Sequence, residues 1–182
     1  MKYLWFFALV STLAAAPAWS YTCNTDLRPM STPNESFKDN GNGTLTDISS
    51  GLTWMRCSLG QTWNNNTCIG EPRAYSWQDA LNEAMELNES GGYGSHSDWR
   101  VPSVRELASI IERQCADPRI NLSLFPATPP KFFWSGASGR KARPGAYMLS
   151  FGPEGADTDD KEQLHFARLV RGHMSFSPTP PP

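Results

Sequence analysis

Once its first twenty residues are passed, the chain has no long apolar run, and it is poor in histidine. No later stretch approaches the ~20 consecutive apolar residues that a membrane-spanning helix needs. Its three histidines stand at no ligand spacing to a cysteine, and no Cys-x-x-Cys pair occurs, which argues against a zinc site. The chain contains no Ser-His-Asp order, no phosphate-cradling glycine loop and no metal motif. No catalytic residue, metal or cofactor is therefore expected. An excess of positive charge is missing too. The 16 basic residues face 18 acidic ones, a formal net charge of −2, whereas a nucleic-acid binder is normally strongly basic. Internal repeats are absent as well.

Residues 1–20 read as a secretory signal. Lys2 supplies the positive start, residues 3–16 are largely apolar, and small residues precede a cut at Ala18-Trp19-Ser20 or at Ala16-Pro17-Ala18. Ser20-Tyr21-Thr22 before Cys23 makes no lipoprotein pattern. The expected product is exported, whether periplasmic, cell-surface or secreted. Removing Lys2 leaves it one unit more negative. Its four cysteines, an even number in an oxidising compartment, predict two disulfides. Of three possible connectivities the favoured one is Cys57–Cys68 with Cys23–Cys115. The first closes a short polar loop, worth roughly 3 kcal/mol on the chain-entropy model. The second ties the mature N-terminus to the end of a predicted helix and is worth somewhat under ~5 kcal/mol.

The organising stretch is residues 98–112, DWRVPSVRELASIIE. Trp99 and Val101 alternate with Asp98 and Arg100, as in a strand. Pro102 ends that period. Ser103 then caps a helix, with Glu106 three residues on to complete a capping box. Val104, Leu107, Ala108 and Ile111 make its apolar face. Arg100, a fixed charge between two apolar residues, needs a partner, and Asp98 or Glu106 would serve. Trp99, Arg100, Glu106 and Trp134 are the expected structural core residues.

Residues 21–36 read as an extended lead-in, residues 37–173 as one domain and residues 174–182 as a disordered Pro-rich tail. In residues 37–54, Asn40-Gly41, Asn42-Gly43 and Ser50-Gly51 punctuate a small β-meander. This run lacks the ligand pattern of a calcium loop. Residues 57–73 read as a polar loop anchored by Trp63. A first helix spans residues 76–88, with Trp77, Ala80, Leu81, Ala84 and Leu87 inward, and Gly91-Gly92 stops it. Residues 117–131 are broken by prolines. Strands follow at residues 132–135 and 146–151, separated by a basic turn, SGRKARP. Asp157, Asp159, Asp160 and Glu162 form an acidic loop with no calcium geometry, and residues 164–171, LHFARLVR, are the last strand.

Five pieces in order, FKDNGNGTLTDISSGLTWMRC, WQDAL, DWRVPSVREL, FFWS and RLVRG, resemble the Lcl C-terminal domain family over residues 37–172. The DWRVPS and VRG pieces are also similar to the formylglycine-generating enzyme superfamily, which has a C-type-lectin-like core. The resemblance implies an α+β, C-type-lectin-like fold: two helices packed on a small, twisted, mainly antiparallel sheet. The periodicities lead to the same α+β class independently. The family takes its name from a collagen-like bacterial surface adhesin, whose C-terminal domain is associated with oligomerisation and with binding sulfated glycosaminoglycans. This chain has no Gly-X-Y repeat, and no binding residue carries over.

Three functions are weighed. The first is a non-enzymatic adhesion or ligand-binding module for an anionic, sulfated glycan. Its support is Arg140, Lys141 and Arg143, three cations in four residues, since arginine binds such anions through paired hydrogen bonds. The second is an assembly component of a bacterial surface structure, with the tail as linker or docking peptide. The third is an enzyme of the formylglycine-generating type. That chemistry needs reactive cysteines late in the domain, and the last here is Cys115, so enzymatic activity is not expected.

Overall fold

The computed structural model describes residues 21–24, 26, 29–140 and 143–174. The expected signal segment and most of the Pro-rich tail lie outside these residues. In chain order the elements are β1 (Thr22–Cys23), a 3-10 turn (Asn34–Ser36), β2 (Phe37–Asp39), β3 (Thr44–Asp47), β4 (Thr53–Met55), β5 (Thr62–Asn64), β6 (Thr67–Ile69), β7 (Ala74–Tyr75), α1 (Trp77–Glu89), α2 (Val104–Ser109), β8 (Cys115–Ala116), β9 (Phe132–Arg140), β10 (Arg143–Ser150), β11 (Ala156–Asp159), β12 (His165–Phe166) and β13 (Val170–Arg171). The class is α+β, as expected. The strands do not form one sheet, however. They form a five-stranded sheet ordered β11-β10-β9-β12-β7, a four-stranded sheet ordered β13-β4-β3-β2, and two two-stranded ribbons, β1-β8 and β5-β6. Every pairing is antiparallel except β12 with β9.

The predicted meander is present as β2-β3-β4, with Phe37 opposite Asp47 and Leu45 opposite Trp54. Residues 57–73, expected as a loop, fold instead as the β5-β6 hairpin, because Cys57–Cys68 closes the ribbon and Trp63 pairs directly with Cys68. The second disulfide joins Cys23 to Cys115. The last strand is also corrected. Residues 164–171 split into β12 and β13, which belong to different sheets, with residues 167–169 crossing between them. Asp157 and Asp159 lie on strand β11, not in a loop, because residues 156–159 pair with residues 146–149 of β10.

Both helices begin where their caps predict. Ser76 accepts from the Asp79 amide, and Ser103 with Glu106 forms the full capping box. α2 is shorter than its pattern suggested. It stops at Ser109, and the buried residues are Glu106, Leu107 and then Ile110, while Ala108 is exposed. Two apolar clusters fill the interior. One gathers Leu45, Trp54, Leu107, Phe125, Phe133 and Phe151. The other gathers Met55, Tyr75, Ala80, Trp99, Trp134 and Met148. Met174, expected in the tail, packs against the first.

The lead-in is not merely extended; Glu112 straps it down. This fully buried carboxylate accepts from the Ser31 amide at 3.1 Å, the Thr32 amide and hydroxyl at 2.8 Å each, and the Gln114 amide at 2.9 Å. Burial alone would raise its pKa, but the amides of Gln114, Thr32 and Ser31 outweigh burial and hold it below the usual carboxylate value. Such a group stabilises the fold above its unfolded pKa of about 4.3, and that contribution is lost as pH falls through the lower folded value. Protection against amide exchange at Ser31 and Thr32, relative to the intrinsic rate at each pH, is therefore expected to fall on acidification below about pH 4 before that of the core amides does. Glu112→Gln, which turns an acceptor into a donor facing amides, is expected to lower urea stability by about 2 kcal/mol or more at pH 7.

Arg168 is a buried charge with no carboxylate beside it among the described residues. Its guanidinium donates to the carbonyls of Met55 and Arg56, to Ser58 Oγ at 3.3 Å and to Thr128 Oγ1 at 2.6 Å. The Phe125 ring lies 5.0 Å away. Complete burial lowers its pKa to about 9, so it stays charged at neutral pH. Arg168→Met would strand four acceptors at once. It is expected to cost about 3 kcal/mol or more in denaturant unfolding, since each orphaned buried polar group costs about 1–3 kcal/mol.

Candidate functional site

The longest strands build the longest hairpin. Phe132, Phe133 and Trp134 start β9 with residues that favour a pleated, half-buried surface. β9 and β10 run nine and eight residues, and their register closes with Arg143 opposite Arg140. The basic stretch expected as a seven-residue turn is thus mostly strand, and only residues 141 and 142 connect the arms. Lys141 lies outside the described residues. Register shifts between Arg143 and Ala146 and between Ala146 and Met148 mark irregularities in the ribbon. Gly145 sits at the first, with φ +96°, and a Cβ there would collide with the Asp159 carbonyl. Below them, Ala146 and Met148 are buried in the second cluster. The lower part of the hairpin is therefore packed into the core.

In the same sheet, His165 Nε2 on β12 contacts Asp159 Oδ2 on β11 at 2.9 Å. The rings of Trp134 and Phe132 lie 4.6 and 5.7 Å from the imidazole. The Trp134 indole N–H donates to the Tyr75 carbonyl at 2.9 Å, a structural contact. The bond from His165 lowers the Asp159 pKa. Among the described residues no group of three or more His, Cys, Asp or Glu is placed to hold a metal ion, and no helix is long and apolar enough to cross a membrane.

The organising stretch resolves its own question. Arg100 grips Glu106 with two bonds, at 2.9 and 2.6 Å, and donates to the Gly172 carbonyl at 2.7 Å. Asp98 is taken instead by Arg171 at 2.6 Å, which lowers its pKa. The Arg100 and Val170 backbones exchange bonds of 2.9 and 3.0 Å. Trp99 is buried, its indole donating to the carbonyls of Tyr93 and His96. None of these residues is free to meet a ligand.

Two clefts remain. One of about 640 Å³ is lined by Val104, Arg105, Ala137 and Tyr147. The other, of about 470 Å³, lies between the β5-β6 hairpin and α1 and is lined by Trp63, Tyr93, Glu83 and Glu86 among others.

The family model of the Lcl C-terminal domain matches residues 43–171. The chain belongs to the Lcl C-terminal domain family. No curated protein matches it. The matched span takes in both helices, the two large sheets apart from β2, and the contact between DWRVPS and LVRG just described. In this Lcl C-terminal domain those motif residues tie the middle of the chain, at Asp98 and Arg100, to its C-terminal part, at Val170 to Gly172.

Pattern reading missed Arg56, Glu112 and Arg168, and it missed the aromatic-acidic cleft. Arg56 is buried between Asp39 and the carbonyls of Ser123 and Leu124. Arg168 did carry a signal. It falls in register with Phe166 and Val170, a charge on an apolar face.

Glu106 stays charged because bonds from Arg100 and Ser103 outweigh the burial that would raise its pKa. Arg100→Ala removes the larger share of them. We expect it to lower stability by about 2 kcal/mol, discounted from the value for a fully buried pair because Arg100 is one-third exposed. Arg105→Ala, on the exposed side of α2, is expected to change thermal stability by less than about 0.5 kcal/mol.

Proposed function

We propose that this Lcl C-terminal domain is an exported, non-enzymatic binding or adhesion module that takes an anionic, sulfated glycan at Arg140, Lys141 and Arg143. The observation that carries this reading is the register of the hairpin tip. Arg140 and Arg143 are direct cross-strand partners, and like charges directly opposite each other destabilise a ribbon. A sulfate between them would turn that repulsion into paired, charge-assisted bonds. The formal net charge of −2 supplies no general attraction for a polyanion, so binding must be local. The two disulfides support export, because such bonds persist in oxidising compartments. A C-type-lectin-like description of the fold belongs to the same proposal, supported by two helices on antiparallel strands.

Replacing Arg140, Lys141 and Arg143 together by alanine is expected to abolish retention on a heparin column while leaving the thermal midpoint nearly unchanged. Wild-type retention is expected to fall steeply as salt rises. A wild type that flows through at low salt would remove the glycan reading, and a triple variant retained as well as wild type would move the site elsewhere.

A further inference from the structure

We propose that the cleft between the β5-β6 hairpin and helix α1 binds an alkylammonium group, the charged head of a lysine side chain or of an amino sugar. This inference is independent of the glycan reading and concerns a different surface.

The cleft has one rigid wall, because Cys57–Cys68 pins the hairpin that carries Trp63. Its aromatic residues converge at Gly43. A Cβ there would collide with both the Tyr93 hydroxyl and the Trp63 ring, so only glycine lets the two rings close together. Trp63 and Tyr93 are each half-buried, leaving part of each side chain exposed. Aromatic faces attract cations, with Trp the strongest. Arg56 already stacks over the Trp63 ring at 4.2 Å, and Asp39 at 2.8 Å neutralises its charge.

The opposite wall is α1, which carries Asp79, Glu83, Glu86 and Glu89 and no basic residue. Glu83 and Glu86 line the cleft. Their i, i+3 spacing sets two like charges side by side, which disfavours the helix. Glu86 and Glu89 also lie in the last turn, at the negative end of the helix dipole, where acids are unfavourable and cations favourable. α1 therefore carries two electrostatic penalties that a bound cation would relieve. The nearest described counter-charge is Arg73, 4.0 Å from Glu83, in a pair exposed on both sides. Such a pair holds weakly, and Arg73 is not among the residues lining the cleft. A volume of about 470 Å³ falls within the usual range for small-ligand pockets. Aromatic rings with two carboxylates select an ammonium group and repel sulfates, so this cleft and the basic hairpin tip would not compete for one ligand.

The test is an NMR titration of the full mature chain, following the Trp63 indole N–H and the Tyr93 ring. The probes are Nα-acetyl-lysine methylamide and glucosamine, each with its uncharged twin, Nα-acetyl-norleucine methylamide and glucose. At least one cation is expected to give saturable shifts at both residues with a Kd of about 10 mM or tighter, and its twin to bind at least ten times more weakly. The stronger arm identifies the source of the ammonium. Glu83→Gln with Glu86→Gln, both on the helix surface, is expected to weaken the cation at least tenfold. The R140A/K141A/R143A variant is expected to bind it unchanged. Equal binding of a twin, indifference to the glutamine substitutions, or no saturable shift with either cation would each overturn the proposal.

Discussion

A guanidinium buried without a carboxylate sets the terms for the rest of this fold. Arg168 sits in the crossing that carries the chain from the five-stranded sheet into the four-stranded one. Its neighbours Ala167 and Leu169 enter one apolar cluster, while Arg168 and Val170 turn toward the other. A charge there survives only if most of its donors are met. Its two terminal nitrogens are met by the carbonyls of Met55 and Arg56, by Ser58 and by Thr128, while its Nε is buried without a partner among the described residues. The same crossing bonds along its backbone to the end of β4 and the chain after it, from Met55 to Leu169 and from Leu59 to Ala167. One side chain thus ties together the end of the meander, the start of the disulfide loop, the proline-rich segment and the last strand.

The chain is closed twice more by the same device, a buried or half-buried charge reaching across a long sequence separation. Glu112 holds Ser31 and Thr32, some 80 residues away, beside the Cys23–Cys115 bridge. Arg100 and Asp98 hold Gly172 and Arg171 near the C-terminal end. These groups have specific geometry, and a hydrophobic contact does not. They fix where each end lies, while the two apolar clusters supply the bulk of the stabilisation.

Local elements were legible in the sequence wherever a short-range rule governs them. The Asn-Gly and Ser-Gly turns, the caps at Ser76 and Ser103 and the stop at Gly91-Gly92 depend on a few adjacent residues. The need of Arg100 for a partner pointed to two nearby acids, Asp98 and Glu106. Of the candidate site, the basic tripeptide was visible as composition, but its cross-strand arrangement was not. SGRKARP reads as turn chemistry, and its pairing as strand depends on arms whose register is set beyond it. The aromatic-acidic cleft could not be read, since Trp63, Glu83, Glu86 and Tyr93 meet only in space.

By itself the sequence determined the α+β class, both helix starts, the meander and the family to which the chain belongs. Each rests on periodicity, turn residues or ordered motifs within a few positions of one another. Only the tertiary structure decided that the strands divide among four sheets and that LHFARLVR breaks at Arg168 to serve two of them. It alone made Asp157 and Asp159 edge-strand residues and chose Glu106 over Asp98 for Arg100. The physical reason is common to all of these. Strand pairing and the partnering of buried charges are contests among groups far apart in sequence, settled by which arrangement leaves the fewest polar atoms unsatisfied.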